Sequence, residues 1–238
     1  MNRPTNGLRE ESHVLIHPVI IGPKTRLART LVAQLQMQPG TYARATIVAR
    51  DEIEKKSLCE IYSQSLVIRF GELWPLSETE RVAIFCCALG PVNTKCQNKS
   101  RQVTAALERE ITGINQILSA RQHHSLCLIF VSSVLAWSSS PNRFLYSGSK
   151  RLGESALRDM ASAHPACSFS VVYPGRLVDE RQWTNLLSTR YCDLAKLMLR
   201  IANQGPQTRI VGWDARLLLV RDWLLNAFRP YTHHGRGA

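Results

Sequence analysis

Hydrophobic and polar positions follow two different periods along this chain. Short, nearly continuous apolar runs, which are typical of strands buried on both faces, occupy residues 14–21, 45–49, 65–69, 82–88, 126–132, 168–173 and 208–212. Longer stretches, whose apolar residues recur every three or four positions as on one face of a helix, cover residues 26–35, 52–62, 103–121, 146–163 and 193–203. The pattern therefore predicts strands and helices in regular alternation.

This alternation predicts a parallel sheet with right-handed crossovers and helices on both faces. We expect an α/β fold, a single doubly wound Rossmann-type parallel sheet flanked by helices, over residues 13–230. A polar N-terminal arm (1–12) precedes it, and a tail predicted to be disordered (231–238) follows it. In such sheets ligands bind beyond the carboxyl ends of the strands, where the strand order reverses.

The composition supports this expectation. Of 238 residues, 45% are hydrophobic and 20% charged, a globular composition that can bury a core without disulfides or metals. No apolar run is long enough to span a bilayer, and the run at 14–21 lacks the pattern of a secretory signal. The seven cysteines are odd in number and have no zinc-site spacing. They favour reduced, buried thiols in a cytoplasmic protein over a disulfide framework, and we expect no metal site and no membrane partner.

The charge widens the range of partners. Thirty Lys and Arg against eighteen Asp and Glu give +12, which favours a phosphorylated cofactor or substrate, nucleic acid or a membrane surface. The basic residues form no run of four or more, so a solvated basic surface explains the charge equally well. Nucleic-acid binding is disfavoured, because aromatic residues make up only 7% of the chain and no RRM, KH or helix-turn-helix signature is present.

Candidate chemistry lies between residues 130 and 150. Ser133 closes an apolar strand, and Tyr146 and Lys150 stand four residues apart on one face of a predicted helix. A phenol of pKa about 10 is a poor acid–base group at neutral pH, but a nearby ammonium lowers that pKa. A serine hydroxyl can hold a carbonyl while the tyrosine transfers the proton. The structural alternative makes Tyr146 a core aromatic and Lys150 a solvated charge.

This segment resembles the short-chain dehydrogenase/reductase family. The family's Tyr-x-x-x-Lys motif stands as Tyr146-Ser-Gly-Ser-Lys150, and its catalytic serine falls on Ser133. The Pro174-Gly175 pair matches the family's turn beside the nicotinamide. The resemblance covers nearly the whole chain and is strongest from 126 to 212. It implies that Tyr146 transfers a proton, that Lys150 lowers the pKa of Tyr146 and holds the nicotinamide ribose, and that Ser133 positions the carbonyl.

The cofactor turn departs from the family pattern. The family's Gly-x-x-x-Gly-x-Gly stands here as Gly22-Pro23-Lys24-Thr25-Arg26-Leu27-Ala28. Backbone approaches a pyrophosphate closely in such a turn, so Arg26 fits only if its side chain swings out and pairs with a phosphate itself. The resemblance implies cofactor contacts from Gly22, Thr25, Arg26 and Leu27.

Further family positions are altered. The Asn-Asn-Ala-Gly segment appears as Cys86-Cys87-Ala88-Leu89-Gly90, in which Ala88 is a cofactor-binding candidate. The helical asparagine that supports a proton-relay water falls on Glu110, a catalytic candidate, with Asn115 as the alternative. The adenine-contacting aspartate is absent near residues 70–71. The threonine expected after Pro174-Gly175 is missing, with Asp179 in that region.

The second predicted strand indicates which cofactor is preferred. Arg50 at its end resembles the family's reader of the 2′-phosphate, which favours NADP(H) over NAD(H). Lys24 and Arg26 would add to the same positive pocket. Asp51 could instead take the ribose hydroxyls of NAD, and Arg50 could be an ordinary surface charge.

The resemblance therefore implies an NADP(H)-dependent oxidoreductase that interconverts a carbonyl and an alcohol. Its small-molecule substrate could be anionic or ring-bearing, because the short stretch after Gly175 holds Arg176, Arg181, Trp183 and Arg190, although solvated arginines explain this composition equally well. The alternatives are a catalytically silent cofactor-sensing or scaffold protein and a nucleotide-sugar epimerase or dehydratase. Family members often pair through the helices at 103–121 and 146–163, which implies a homodimer or homotetramer.

Overall fold

The computed structural model describes residues 15–72, 74–76, 80–89, 100–137, 144–179 and 188–227. Within them, seven parallel strands form one sheet. From edge to edge these strands are β3 (Leu66–Arg69), β2 (Thr46–Ala49), β1 (Ile16–Ile21), β4 (Arg81–Cys86), β5 (Leu126–Val131), β6 (Cys167–Pro174) and β9 (Thr208–Val211). A separate parallel pair consists of β7 (Arg176–Val178) and β8 (Ser188–Arg190).

Helices connect the strands in the order that the alternation predicts. They are α1 (Arg26–Gln36), α2 (Glu52–Ile61), α3 (Ser100–Ala120), α4 (Phe144–Ala163), α5 (Tyr191–Gln204) and α6 (Trp213–Ala227). A 3₁₀ turn, Val134–Trp137, follows β5.

The sheet is buried on both faces, which explains why its central strands are apolar without a break. Successive side chains of a strand point to opposite faces. Ile20 joins a core cluster with α1, α2 and α5, whereas Val19 and Ile21 join a second cluster with α3 and α4. Every residue of β1 and β5 is buried. The core is therefore two apolar layers, one on each side of the sheet.

The strand order reverses at β1. This strand pairs with β2 on one side and with β4 on the other, and Ile21 lies opposite Cys86 at the carboxyl end. A parallel sheet opens a crevice at such a reversal. The turn that leads into α1 and the residues that follow β5 and β6 all lie at this same edge.

The predicted fold class is confirmed, because the seven sheet strands correspond to the seven apolar runs. The predicted arm (1–12) and tail (231–238) lie outside the described residues. Helix α6 was not predicted. Its apolar residues surround the helix, with Ala215 buried and Trp213, Leu217 and Val220 exposed, so it lacks the one-sided stripe that marks a helix in sequence.

Three properties of the described residues concern membranes, metal ions and thiols. No helix among them has the length and apolarity to cross a membrane. None of their His, Cys, Asp and Glu side chains form a cluster of three or more that could hold a metal ion. The six cysteines in this part of the chain are free thiols, of which Cys86, Cys87 and Cys127 are buried and Cys59 is exposed.

Candidate active site

A cavity of about 230 Å³ opens at the carboxyl ends of β1, β5 and β6. It brings together eight residues that the sequence singled out: Thr25, Arg26, Leu27, Ser133, Tyr146, Lys150, Pro174 and Gly175. Its other lining residues are Cys87, Val131, Ser132, Leu177 and Tyr191. The serine, the phenol and the ammonium therefore share one pocket.

Ser133 is held at the tip of β5. Its carbonyl accepts the Ala136 N–H at 2.9 Å, which closes the 3₁₀ turn, and its Oγ accepts the Leu135 N–H at 3.2 Å. Ser133 and Tyr146 both line the cavity, and the Ser133 side chain favours the ionised form of the Tyr146 phenol. Tyr146 lies in the first turn of α4. The strand end and the helix start thus place two hydroxyls side by side.

Lys150 lies one helical turn after Tyr146 and is 9% exposed. Its Nζ donates to the Val131 carbonyl oxygen at 3.2 Å and lies 5.9 Å from the centre of the Tyr146 ring. Burial lowers the pKa of Lys150 to about 8, against the opposing influence of Cys86, Glu110 and Cys87. This ammonium can lose its proton near neutral pH, unlike a solvated lysine.

The pKa of Tyr146 differs from the sequence expectation. Burial raises it, and the hydrogen bond from Ser133 offsets only part of that rise. The expected lowering by Lys150 is not seen, because removal of the phenolate from water outweighs the stabilisation offered by its neighbours. The phenol is therefore protonated at neutral pH.

In the turn between β1 and α1, close packing requires a glycine at position 22. Gly22 has φ +74°, and a Cβ there would come within 2.7 Å of the Ala88 backbone nitrogen. Thr25 caps α1: its Oγ1 accepts the Ala28 N–H at 3.2 Å and donates to the Gly22 carbonyl at 3.0 Å. Ala88 thus packs against the turn, and is not among the residues that line the cavity.

The basic residues predicted to meet phosphates are each paired with a carboxylate of the chain itself. Arg26 Nη1 lies 2.6 Å from Asp179 Oδ2, and Lys24 Nζ lies 3.2 Å from Glu54 Oε1. Arg50 Nε donates to Glu110 Oε1 at 2.6 Å. The positive pocket expected from these side chains is therefore largely neutralised internally.

A second cavity, of about 530 Å³, lies at the carboxyl ends of β2 and β3. It is lined by Arg50, Asp51, Phe70, Ala105, Ala106, Arg109 and Glu110. Arg50 and Glu110 thus belong to this cavity and are not among the residues that line the first. Glu110 is 3% exposed, whereas its sequence alternative Asn115 is exposed. The buried carboxylate still acts electrostatically on Lys150.

The sequence did not point to Asp214, which contacts the backbone at the Pro174–Gly175 turn. Its Oδ2 accepts the Arg176 N–H, and a Cβ on Gly175 would collide with its carboxylate. The aspartate is the second residue of α6, where the helix dipole favours a negative charge. Because α6 itself gave no periodic signal, nothing in the sequence pointed to this residue.

Comparison with known proteins addresses the fold. No protein-family model matches the chain, and no curated protein matches its sequence. Among solved structures, a short-chain dehydrogenase from Streptomyces avermitilis is similar with a TM-score of 0.63 and 13% identity, covering 89% of this chain and 94% of that one. The protein has the short-chain dehydrogenase fold.

Two further structures support this fold. A short-chain dehydrogenase from Burkholderia cenocepacia J2315, solved in complex with NADP, has a TM-score of 0.60 and 15% identity over 89% of this chain and 95% of its own. A short-chain dehydrogenase/reductase from Vibrio parahaemolyticus has a TM-score of 0.58 and 14% identity over 81% and 96%. The resemblance predicted from sequence is confirmed for the short-chain dehydrogenase fold. Function does not follow from fold alone.

Proposed function

We propose that the protein is an NADP(H)-dependent oxidoreductase that interconverts a carbonyl and an alcohol of a small molecule. The observation that carries this proposal is the single cavity shared by Ser133, Tyr146 and Lys150. A serine and a tyrosine hydroxyl that share a cavity with a buried ammonium form an arrangement suited to moving a proton to or from oxygen. A structurally similar protein, from Burkholderia cenocepacia, was solved with NADP.

The residues at the crevice fit a nicotinamide dinucleotide. The first residues of α1, Arg26 and Leu27, line the cavity. The N–H groups of a helix start attract phosphate. The second cavity, with Arg50 at its wall, lies at the end of β2, where an adenosine 2′-phosphate would be read. Both ends of the crevice thus offer space, together with basic side chains that a ligand would have to take from internal carboxylates.

Residues for the cofactor can be named on this basis. Gly22, Thr25, Arg26 and Leu27 would hold the pyrophosphate and Arg50 the 2′-phosphate, while Pro174, Gly175, Tyr146 and Lys150 would flank the nicotinamide ribose. When bound, NADPH supplies the hydride that a carbonyl needs for reduction.

The side chains supply the proton chemistry. In the reduction direction the Tyr146 hydroxyl donates its proton to the carbonyl oxygen, and the Ser133 hydroxyl donates a hydrogen bond to that oxygen as negative charge develops on it. Because burial raises the pKa of Tyr146, the phenol holds its proton in the resting site. The Lys150 ammonium, whose Nζ lies 5.9 Å from the centre of the Tyr146 ring, would hold the nicotinamide ribose beside the phenol.

Binding and turnover of the intact chain test the proposal. Titration calorimetry with NADPH and NADH, and the rise in melting temperature that each gives, measure binding to the native state. Oxidation of NADPH with a panel of aldehydes, ketones and anionic keto acids measures turnover. Ser133→Ala is expected to lower turnover, whereas Ser132→Ala, which truncates the neighbouring cavity residue, serves as the matched control. A protein that neither binds NADPH nor oxidises it with any carbonyl contradicts the proposal.

A second candidate is a cofactor-sensing protein without turnover. It is favoured by the internal pairing of Lys24, Arg26 and Arg50, because a cofactor that must displace these partners binds weakly enough for the occupied fraction to follow its concentration. Tyr146→Phe separates the two functions: a biological activity that survives the loss of the phenol requires binding and not proton transfer.

A further inference from the structure

The ion pair between Arg26 and Asp179 joins two segments that flank the first cavity. Arg26 is the first residue of α1, and Asp179 follows β7 directly. Their side chains meet at 2.6 Å although 153 residues separate them in sequence. The Arg26 guanidinium also lies 5.6 Å from the centre of the Tyr191 ring. One arginine thus links the start of α1, the segment after β7 and the start of α5.

This contact lies on the solvent side of the cavity. The side chains of Arg26 and Asp179 are 58% and 30% exposed, while Arg26, Tyr191 and Leu177, which is two residues before Asp179, line the cavity itself. Helix α1 begins at the crevice where the strand order reverses, and its positive end attracts anions there. In this structure the anion paired with the first residue of that helix is a carboxylate of the chain itself.

We propose that Asp179 is an affinity-determining residue, an internal anion that competes with a phosphate of the bound ligand for the Arg26 guanidinium. This inference rests on the proposed function, because it assigns the phosphate to NADP(H). Phosphate accepts hydrogen bonds from a guanidinium as carboxylate does. A ligand phosphate can therefore replace Asp179 as the partner of Arg26. While Asp179 remains close, its negative charge opposes that of the phosphate.

The pair is suited to exchange. Ion pairs that are this exposed contribute little to stability, so opening it has little effect on the fold. Arg26 would then leave Asp179 and pair with the ligand phosphate. This exchange explains how the turn between β1 and α1 could bind a phosphate although it has an arginine at position 26. The Arg26 guanidinium can pair with the ligand phosphate or with Asp179, but not fully with both. Pairing with Asp179 therefore lowers the affinity for the ligand.

Charge neutralisation at Asp179 tests the competition. Asp179→Asn is expected to bind NADPH about tenfold more tightly than the wild type, within the usual range of coupling between two ligands. Arg26→Gln is expected to bind it about tenfold more weakly, because the phosphate loses its partner. Asp193→Asn makes the same change of charge on the exposed face of α5 and is expected to leave affinity unchanged. Calorimetry and ligand-induced shifts of the melting temperature measure all four proteins without turnover.

Inorganic pyrophosphate is a second probe, independent of redox chemistry. If wild type and Asp179→Asn both fail to bind NADPH, the proposed function is wrong. Pyrophosphate then tests the competition by itself. Tighter pyrophosphate binding to Asp179→Asn than to wild type supports the competition, and equal or undetectable binding overturns it. If the wild type binds NADPH and Asp179→Asn binds it equally or more weakly, the proposed function stands and the competition is overturned.

Discussion

The cavity around Ser133, Tyr146 and Lys150 and the turn between β1 and α1 lie side by side but differ in kind. In the cavity, Lys150 and Ser133 are buried, each 9% exposed, and each makes a hydrogen bond to the backbone near the end of β5. In the turn, the basic side chains are turned outward onto carboxylates, with Lys24 and Arg26 about 60% exposed. The first region is prepared for proton transfer, whereas the second must exchange internal partners before it can hold a phosphate.

This difference shows how a site can retain its chemistry while its affinity is adjusted. The serine–tyrosine pair depends on a strand tip and a helix start, both fixed by the core of the sheet. The ion pairs depend on the exposed side chains of Lys24 and Arg26, which can change partners or be replaced without repacking the core. Variants that act on one region and not on the other therefore test the distinction.

The largest effect is expected from Tyr146→Phe, which removes the proton donor and keeps the ring. Carbonyl reduction should fall by about 10²–10⁴-fold, with a much smaller change in NADPH affinity, because the turn before α1 is untouched. Tyr42→Phe is the matched control: it loses a hydroxyl that donates to the Leu199 carbonyl, remote from the cavity. Steady-state rates and calorimetry on the same preparations separate the two readouts. Equal activity of Tyr146→Phe and wild type would exclude the tyrosine as the proton donor.

Gly22→Ala acts on the turn instead. A side chain at φ +74° is strained and also meets the Ala88 backbone at 2.7 Å, so we expect a loss of about 3 kcal/mol in the free energy of unfolding. Gly40→Ala is the control, because Gly40 has φ +98° but a Cβ added there would have no atom within 4 Å. It should lose only about 1 kcal/mol. Urea denaturation of both variants measures the difference, and equal losses would show that the approach to Ala88 is unimportant.

Lys150→Met should increase stability at pH 7 while it removes activity. Burial lowers the pKa of Lys150 from 10.5 to about 8, so between those values the unfolded chain binds the proton more tightly and the wild type gains stability as pH rises. The charged lysine therefore destabilises the fold below pH 8, by up to about 3 kcal/mol.

The control and the pH series make this prediction specific. The stability advantage of Lys150→Met should shrink as pH rises from 8 to 10.5, whereas the exposed-site variant Lys196→Met should show no such trend. Denaturation curves at several pH values measure both. If the stability difference between Lys150→Met and wild type did not change with pH, burial would not lower the pKa of Lys150.

The sequence predicts the cavity far better than it predicts the turn, for a physical reason. Strand ends and helix starts are encoded locally, so the apolar run before Ser133 and the four-residue spacing of Tyr146 and Lys150 are sufficient to bring them together. The pairs Arg26–Asp179 and Arg50–Glu110 connect residues 153 and 60 positions apart. No local period marks such contacts, and helix α6, which carries Asp214, has no one-sided apolar stripe. The expected lowering of the pKa of Tyr146 fails for a related reason, since it depends on burial that spacing does not reveal.

The smallest effect is expected at the second cavity. It tests whether internal carboxylates limit phosphate binding there as they do in the turn before α1. If Arg50 reads a 2′-phosphate, Arg50→Ala should reduce the preference for NADPH over NADH by about tenfold. Glu110→Gln should do the opposite, because it removes the carboxylate that now accepts from Arg50 Nε at 2.6 Å and leaves the guanidinium free for the ligand. Paired dissociation constants for the two cofactors measure the preference in each variant. Opposite shifts would mean that internal carboxylates control affinity at both ends of the crevice, and an unchanged ratio in both variants would confine that control to Arg26 and Asp179.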